Sequence, residues 1–248
     1  MYRFYVDEGA AGGEEITLTG EDYNHIRNVL RMRAGEKITV CDGAGTDYIC
    51  ELSDLAKDCV KARVVSKEAS QTELSPRLVL FQGMPKKDKM EWIIQKAVEL
   101  GVWQVVPVMT KRTVVKLEDG KKEEKKRARF QAIARAAAMQ SMRGIIPEVA
   151  PAMCFADAVR AAGELDAIVI PYERATGVQD TKAVINKLVS DGVRSVGIFI
   201  GPEGGFEEDE VQLALAAGAH SITLGHRILR TETAGLAALA VLMFAFET

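Results

Sequence analysis

Two stretches of this sequence concentrate residues able to do chemistry. Ile200 to Phe206 reads IGPEGGF: three glycines and a proline that follow the apolar run Val196–Ile200 and precede a helical pattern. Leu224 to Ala234 reads LGHRILRTETA, which leaves another apolar run through Gly225 and enters an Ala/Leu-rich helical pattern. Glycine at such turns lets a ligand approach the backbone closely. In α/β sheets ligands bind outside the carboxyl ends of the strands, where both stretches fall. For the glycine loop a purely structural tight connection stays open as the alternative.

The residues narrow the kind of ligand. Neither GxxxxGK[ST] nor GxGxxG occurs, so the standard phosphate cradles are missing. Glu207, Glu208, Asp209 and Glu210 open the helix after the glycine loop; they complement its dipole and would repel a phosphate placed there. In the second stretch Thr231 and Glu232 suit a helix N-terminus, as cap and dipole partner. Capping does not account for Ile228 and Leu229, set between Arg227 and Arg230. An apolar pair beside glycine backbone suits a flat heteroaromatic ring such as adenine. The four cysteines form no CxxC pair, and His25, His220 and His226 are scattered, so reduced thiols and no metal are expected.

The elements that must position these loops follow from periodicity. From Lys37 to Val65 apolar and polar residues alternate, the mark of half-buried strands, with a hairpin turn at Asp42-Gly43-Ala44-Gly45. Glu21 to Met32 reads as one short helix carrying His25, Arg27 and Arg31, and Ser66 to Pro76 as a polar linker. Beyond it, apolar runs at Leu78–Phe81, Val102–Met109, Ala167–Ile170, Val196–Ile200 and Ile222–Leu224 alternate with helical patterns at Lys87–Leu100, Lys121–Met139, Thr181–Ser190, Glu207–Ala217 and Glu232–Phe246. That order predicts a parallel sheet covered on both faces. The expected organisation is a small β domain over residues 1–72 and an α/β domain over 73–248.

The net charge of −3 conceals an asymmetry. Lys+Arg against Asp+Glu count 9 to 14 over residues 1–76, 16 to 7 over 77–147 and 7 to 14 over 148–248. A basic middle between acidic flanks can bind nucleic-acid phosphates whatever the total, because counterion release depends on the charges in contact. Within it, the run KKEEKKRAR from Lys121 to Arg129 reads either as a solvated helix face with oppositely charged neighbours or as an RNA contact. Arg112 and Arg143 are candidates to hold RNA phosphates or a flipped base. Asp7 and Glu8 stand where a secretory signal needs an apolar core, and the longest apolar run, Ala234–Phe246, falls short of the about twenty residues that span a bilayer. A cytoplasmic protein, with no membrane contact and that run as a buried helix, is expected.

The two loops, together with KMEWIIQKAVELGV at Lys89–Val102, KRTVVK at Lys111–Lys116 and QSMRGIIPEV at Gln140–Val149, resemble the RsmE family of 16S ribosomal RNA uridine N3-methyltransferases, of the SPOUT class. The resemblance covers essentially the whole chain. It implies a PUA-like β-barrel domain followed by a SPOUT-type α/β domain with a parallel sheet and a C-terminal trefoil knot, a homodimer, and S-adenosylmethionine as cofactor. The knot loops it implies are Ile170-Pro171-Tyr172-Glu173, Gly201–Gly205 and Leu224–Ala234. The cofactor would be held by Pro171, Tyr172, Gly201, Pro202, Glu203, Gly204, Gly205, Leu224, Gly225, Ile228, Leu229, Thr233 and Ala234. RNA would be held by Arg27, Arg31, Arg112, Gln140 and Arg143. One departure is Met139, where the family often has an acidic residue.

The implied reaction is methyl transfer to N3 of a uridine in ribosomal RNA or the small subunit. A protonated uracil imide is a poor nucleophile, so its proton must leave and the resulting charge must be stabilised. Arg230 is the preferred cation, with Glu232 and Glu203 as candidates for a base or orienting acceptor. Transfer to carbon 5 would need a cysteine nucleophile, and neither loop contains one. A methyltransferase of the same class acting on another RNA position, a non-catalytic RNA-binding module and a nucleotide-phosphate enzyme are the competing readings.

Overall fold

The computed structural model describes residues 2–6, 11, 13–115, 120–172 and 177–247. Asp7 and Glu8 of the N-terminal reading, Lys116 of KRTVVK and Glu173 of the first implied knot loop lie outside them. The chain divides into one unit of residues 1–73 with 138–146 and a second of 74–137 with 147–248. Residues 138–146, which the sequence reading assigned to the α/β domain, thus group with the β unit.

The first unit is a curled five-stranded sheet in the order β1-β3-β4-β5-β2. Its strands are β1 (Arg3–Tyr5), β2 (Glu15–Thr19), β3 (Lys37–Cys41), β4 (Thr46–Leu55) and β5 (Cys59–Ala69). Alternation does its work here: Ile16, Leu18, Ile38, Val40, Cys50, Leu52, Val60 and Ala62 all face one core. At the β3–β4 turn Asp42 Oδ1 accepts from the backbone N–H of Ala44 and Thr46, at 2.8 and 3.0 Å. The helix expected over Glu21–Met32 is shorter: α1 (Gly20–Asn24) continues as a π-helical stretch, His25–Val29. The linker expected from Ser66 is also shorter, because Ser66–Ala69 complete β5 and pair with β4.

A buried ion pair closes this unit. Glu73 takes the Arg143 guanidinium and the backbone N–H groups of Gly144 and Ile145, at 2.8 and 3.2 Å. The Tyr5 hydroxyl donates to the carbonyls of Ala138 and Arg143, and burial pushes its pKa up to about 12.

The second unit is a parallel sheet in the order β12-β10-β11-β6-β7-β8, with β9 also paired to β7. It comprises β6 (Arg77–Gly83), β7 (Gln104–Met109), β8 (Glu148–Val149), β9 (Met153–Cys154), β10 (Ala167–Pro171), β11 (Ser195–Ile200) and β12 (His220–Ile222). The helices are α2 (Lys89–Glu99), α3 (Gly120–Gln140, whose last three residues belong to the first unit), α4 (Phe155–Ala162), α5 (Val178–Ser190), α6 (Glu208–Ala216) and α7 (Thr231–Phe246). Four of the expected strands and the five expected helices are present; the strand expected at Ile222–Leu224 lies earlier, at His220–Ile222, leaving Thr223 and Leu224 to the loop, and α4 and the two-residue β8 and β9 were not anticipated. They are too short to show a period.

Two faces of the sheet are covered, as continuous apolar strands require. On one, Phe81 and Phe199 stack with centroids 4.6 Å apart, and Phe155 of α4 meets Phe199 edge-on at 5.5 Å. On the other, α7 packs on β6 and β11 and against α2 and α5. The C-terminal helix is buried on one side only: Leu239 and Leu242 are enclosed, but Val241 is 46% and Phe244 82% exposed. No helix among the described residues is long and apolar enough to cross a membrane.

Replacing Glu73 with alanine leaves a 4% exposed guanidinium without its carboxylate. Breaking a buried pair from one side costs about 3–5 kcal/mol, so urea unfolding followed by circular dichroism is expected to show a clearly lower midpoint. Glu73→Gln, which keeps an acceptor oxygen, should lose less. An unchanged midpoint for Glu73→Ala would show that the pair carries no stability.

Candidate functional site

Strands β12, β10, β11 and β6 lie side by side in parallel, so their carboxyl ends deliver successive loops to one edge. There the segments 171–172, 200–206 and 223–231 wall a cleft of about 830 Å³. Thus the three loops that the resemblance assigned to the knot converge. Of the expected cofactor residues, Pro171, Tyr172, Gly201 through Gly205, Leu224, Gly225, Ile228, Leu229 and Ala234 line the cleft, as does Arg230; Thr233 does not.

The glycine loop is held from below by a hydrogen-bond chain. Buried Gln82, at the end of β6, donates through Nε2 to Thr231 Oγ1 at 2.8 Å, and the Thr231 hydroxyl donates to the Gly201 carbonyl at 2.6 Å. Thr231 is therefore not the helix cap expected of it: the N-cap is Arg230, without a side-chain cap bond. Gly83 lets the loop lie this close, since a Cβ there would stand 2.5 Å from the Pro202 nitrogen.

The acidic residues after the glycine loop are wired into the fold. Glu210, 5% exposed, accepts from the Glu207 and Lys111 backbone N–H groups, each at 2.9 Å. Glu207 receives the fork of Arg112 at 2.9 and 3.1 Å, while a third Arg112 nitrogen donates to the Gly204 carbonyl at 2.8 Å. Tyr172 donates to Glu208 at 2.8 Å, and Asp209 pairs with Lys111. Hydrogen bonding to Arg112 holds the Glu207 carboxyl below its ordinary range, and the Lys111 contact does the same for Asp209. Arg112, expected to contact RNA, braces the glycine loop while its side chain stays 45% exposed on the cleft wall.

On the other wall the Lys89 ammonium lies 3.1 Å from Glu203 and 3.2 Å from Glu232. The Lys86 backbone N–H also donates to Glu203, at 3.2 Å. Partial burial raises the Glu203 carboxyl, but its own backbone N–H, Lys89 and the Lys86 N–H outweigh that and bring it below the ordinary value. Its two carboxylate partners, Glu203 first, raise Lys89. The candidate acids Glu203 and Glu232 thus share one cation, while Arg230 is exposed and has no ion pair among the described residues. Ile228 is 93% exposed, an apolar side chain left bare on the cleft wall.

The expected RNA residues fare differently. Arg143 is buried and paired with Glu73, so it cannot present its charge to a phosphate; that expectation is corrected. Arg27 donates to the Leu55 carbonyl at 2.9 Å and to that of Ala56, and Arg31 and Gln140 are exposed in the first unit. Lys89 and Gln82 were missed, although each left a signal. A lysine opening a helix opposes the helix dipole, and a glutamine ending an apolar strand run needs a buried partner. Among the described residues no group of three metal-binding side chains forms.

Comparison with known proteins adds independent findings. An RNA methyltransferase domain model matches residues 72–243, and an RNA methyltransferase PUA domain model matches residues 18–65. The chain is 37% identical over 253 residues to the ribosomal RNA small subunit methyltransferase E of Bacillus subtilis, covering 100% of this chain and 98% of that one. The crystal structure of the Neisseria gonorrhoeae ribosomal RNA small subunit methyltransferase E bound to S-adenosyl methionine superposes with a TM-score of 0.79 at 32% identity, over 99% of this chain and 98% of that one. A putative methyltransferase from Legionella pneumophila, in complex with the bound cofactor SAM, gives 0.78 at 31% identity, over 98% and 97%. The fold is accordingly a SPOUT-type α/β domain preceded by a PUA-like β domain. With this identity sustained across both units, the chain belongs to the ribosomal RNA small subunit methyltransferase E family.

Proposed function

We propose that this chain transfers a methyl group from S-adenosylmethionine to N3 of a uridine in 16S ribosomal RNA, in the cytoplasm and as a homodimer. The observation that carries this reading is the cleft itself, where glycine backbone, a bare Ile228 and the exposed Arg230 meet at the strand ends. The family membership and the cofactor-bound relatives support it. The fit is chemical as well. The first turn of α6 satisfies its own amides through Glu207 and Glu210, so no phosphate cradle competes for the cleft, whereas an adenine can rest on Ile228 and Leu229.

When bound, S-adenosylmethionine supplies an electrophilic methyl carbon on a sulfonium. The chain's part is to hold the acceptor uracil in line and to stabilise the charge left when its N3 proton departs. Arg230 does this by facing a uracil carbonyl oxygen. Glu203, held ionised by Lys89 and two backbone N–H groups, is a weak base and serves better as an orienting acceptor. Glu232, the second partner of Lys89, is the remaining candidate to accept the proton. The N-terminal unit contributes Arg27, Arg31 and Gln140 to the RNA.

The direct test is tritium transfer from labelled S-adenosylmethionine to small-subunit RNA, followed by nucleoside analysis. Label in N3-methyluridine is expected, and label in any other nucleoside would sink the assignment.

The cofactor site is tested by a matched pair of glycines. Gly205 and Gly218 have φ of +70° and +90°, and a Cβ on either meets nothing within 4 Å. Valine at either position carries backbone strain of the same kind, but only Gly205 lines the cleft. Gly205→Val should lose S-adenosylhomocysteine binding in calorimetry while Gly218→Val keeps it; equal affinities would remove the loop from the site.

Arg230→Ala should bind cofactor and RNA nearly normally yet react about a hundred- to a thousandfold more slowly. In single-turnover assays part of that loss is expected to return as pH rises and uracil ionises unaided. A normal rate would exclude Arg230 from the chemistry.

The dimer is proposed to form on the bare side of α7. Light scattering should give twice the 27.0 kDa chain mass, and Phe244→Glu should shift it to the monomer. A wild-type monomer at micromolar concentration would refute the assembly.

A further inference from the structure

We propose that the lysines on the first half of α3, with Lys87, form a groove that grips the RNA backbone beside the cleft. The proposal rests on the RNA methyl-transfer reading and locates a binding surface for it.

Lys122, Lys125, Lys126 and Arg129 recur at intervals of three, one and three residues, so they share one face of the helix. With Lys87 they wall a groove of about 440 Å³ in which, among the described residues, the carboxylates are Asp88 and Glu91. Both carboxylates are taken by Arg129, which contacts Glu91 closely and lies 3.9 Å from Asp88. Lys87, Lys122 and Lys125 have no ion pair among the described residues, and Lys126 has only the Phe130 ring, 5.9 Å away.

The self-neutralising helix face that KKEEKKRAR allowed is not what forms. Glu123 and Glu124 stand at helical spacing from lysines, yet no ion pair joins residues of α3 to one another among those described, and Glu123 Oε2 is buried without a hydrogen-bond partner. Lys121 and Lys122 also occupy the first turn of α3, where the helix dipole disfavours cations. Glu123 shares that turn, so a docked phosphate would be met by the lysine side chains of the groove. Lysine, a flexible point charge, suits this non-selective grip on a backbone.

The groove leads to the chemistry through a single turn. Lys87 lines the groove and Lys89, two residues on, lines the cleft, while the N–H of Lys86, the residue just before them, donates to Glu203. From Lys122 to Arg129 the helix advances roughly 10 Å, comparable to about three phosphates of one strand. An RNA strand seated there would thus be gripped on the approach to the site of methyl transfer.

The test compares the full-length protein with Lys122→Gln/Lys125→Gln/Lys126→Gln, and with Lys182→Gln/Lys187→Gln on exposed positions of α5 as a control. Binding of a fluorescein-labelled single-stranded RNA oligonucleotide is followed by anisotropy across a series of KCl concentrations. Loss of three contacts at roughly 0.7 each should flatten the log–log salt slope by about 2, or weaken binding about a hundredfold at 0.1 M salt. Affinity for S-adenosylhomocysteine should not change. On ribosomal RNA the KM should rise while kcat at saturating RNA is kept. If the triple variant binds RNA with the affinity and slope of the control, the groove is overturned although the methyltransferase reading stands. If the wild type binds S-adenosylhomocysteine but no RNA, both fall. Dependence on these lysines for heparin but not for RNA also overturns the proposal.

Discussion

The buried amide of Gln82 is the point on which the site depends. A primary amide at zero exposure must find partners or bear its desolvation cost; here Nε2 donates to the Gly83 carbonyl and to the Thr231 hydroxyl, which in turn donates to the Gly201 carbonyl, while Oε1 has no hydrogen-bond partner among the described residues. Three segments far apart in the chain are thereby tied together: the end of β6, the loop after β11 and the start of α7. The bonds run through protein interior, where they are stronger than in water, so the glycine loop is presented with a defined backbone. Gly83 makes the arrangement sterically possible, because a side chain there would displace Pro202.

Around this tie the charged residues divide into those that build the cleft and those left to act in it. Arg112, Glu207, Glu208, Asp209 and Glu210 answer one another or neighbouring backbone, and so brace the loop on its outer side. On the inner side a single lysine, Lys89, holds two carboxylates. Sharing one cation holds the two carboxylates close together on one wall of the cleft. Arg230, exposed on the cleft wall near the bare Ile228, has no ion pair among the described residues and is the cation proposed to act on the acceptor.

The basic middle segment shows why a charge count is not a binding surface. Its sixteen cations serve different ends once folded. Arg143 closes the first unit against Glu73, Arg112 braces the loop, and Arg129 takes up Glu91. Among the cations that carry no ion pair in the described residues, Lys87 and lysines of α3 line one groove, a smaller and more localised set.

Much of this architecture was legible in the sequence, for physical reasons. Period two in residues 37–65 and continuous apolar runs after residue 77 can be satisfied only by a half-buried sheet and a doubly covered parallel sheet, so the elements and their order followed from hydrophobicity alone. The glycine-rich turns announced the cleft loops, because few other purposes require so many glycines between a strand and a helix. Partnership was not legible. Whether Arg143 faces water or Glu73, whether Thr231 caps a helix or bridges to Gly201, and which carboxylates meet Lys89 are settled by residues dozens of positions away. Nor could short elements such as α4 be read, since eight residues hold barely two turns of a period. Local pattern determined which segments are strands, helices and ligand loops; tertiary packing alone decided which charges were neutralised, because an ion pair depends on distance in space and not on separation along the chain.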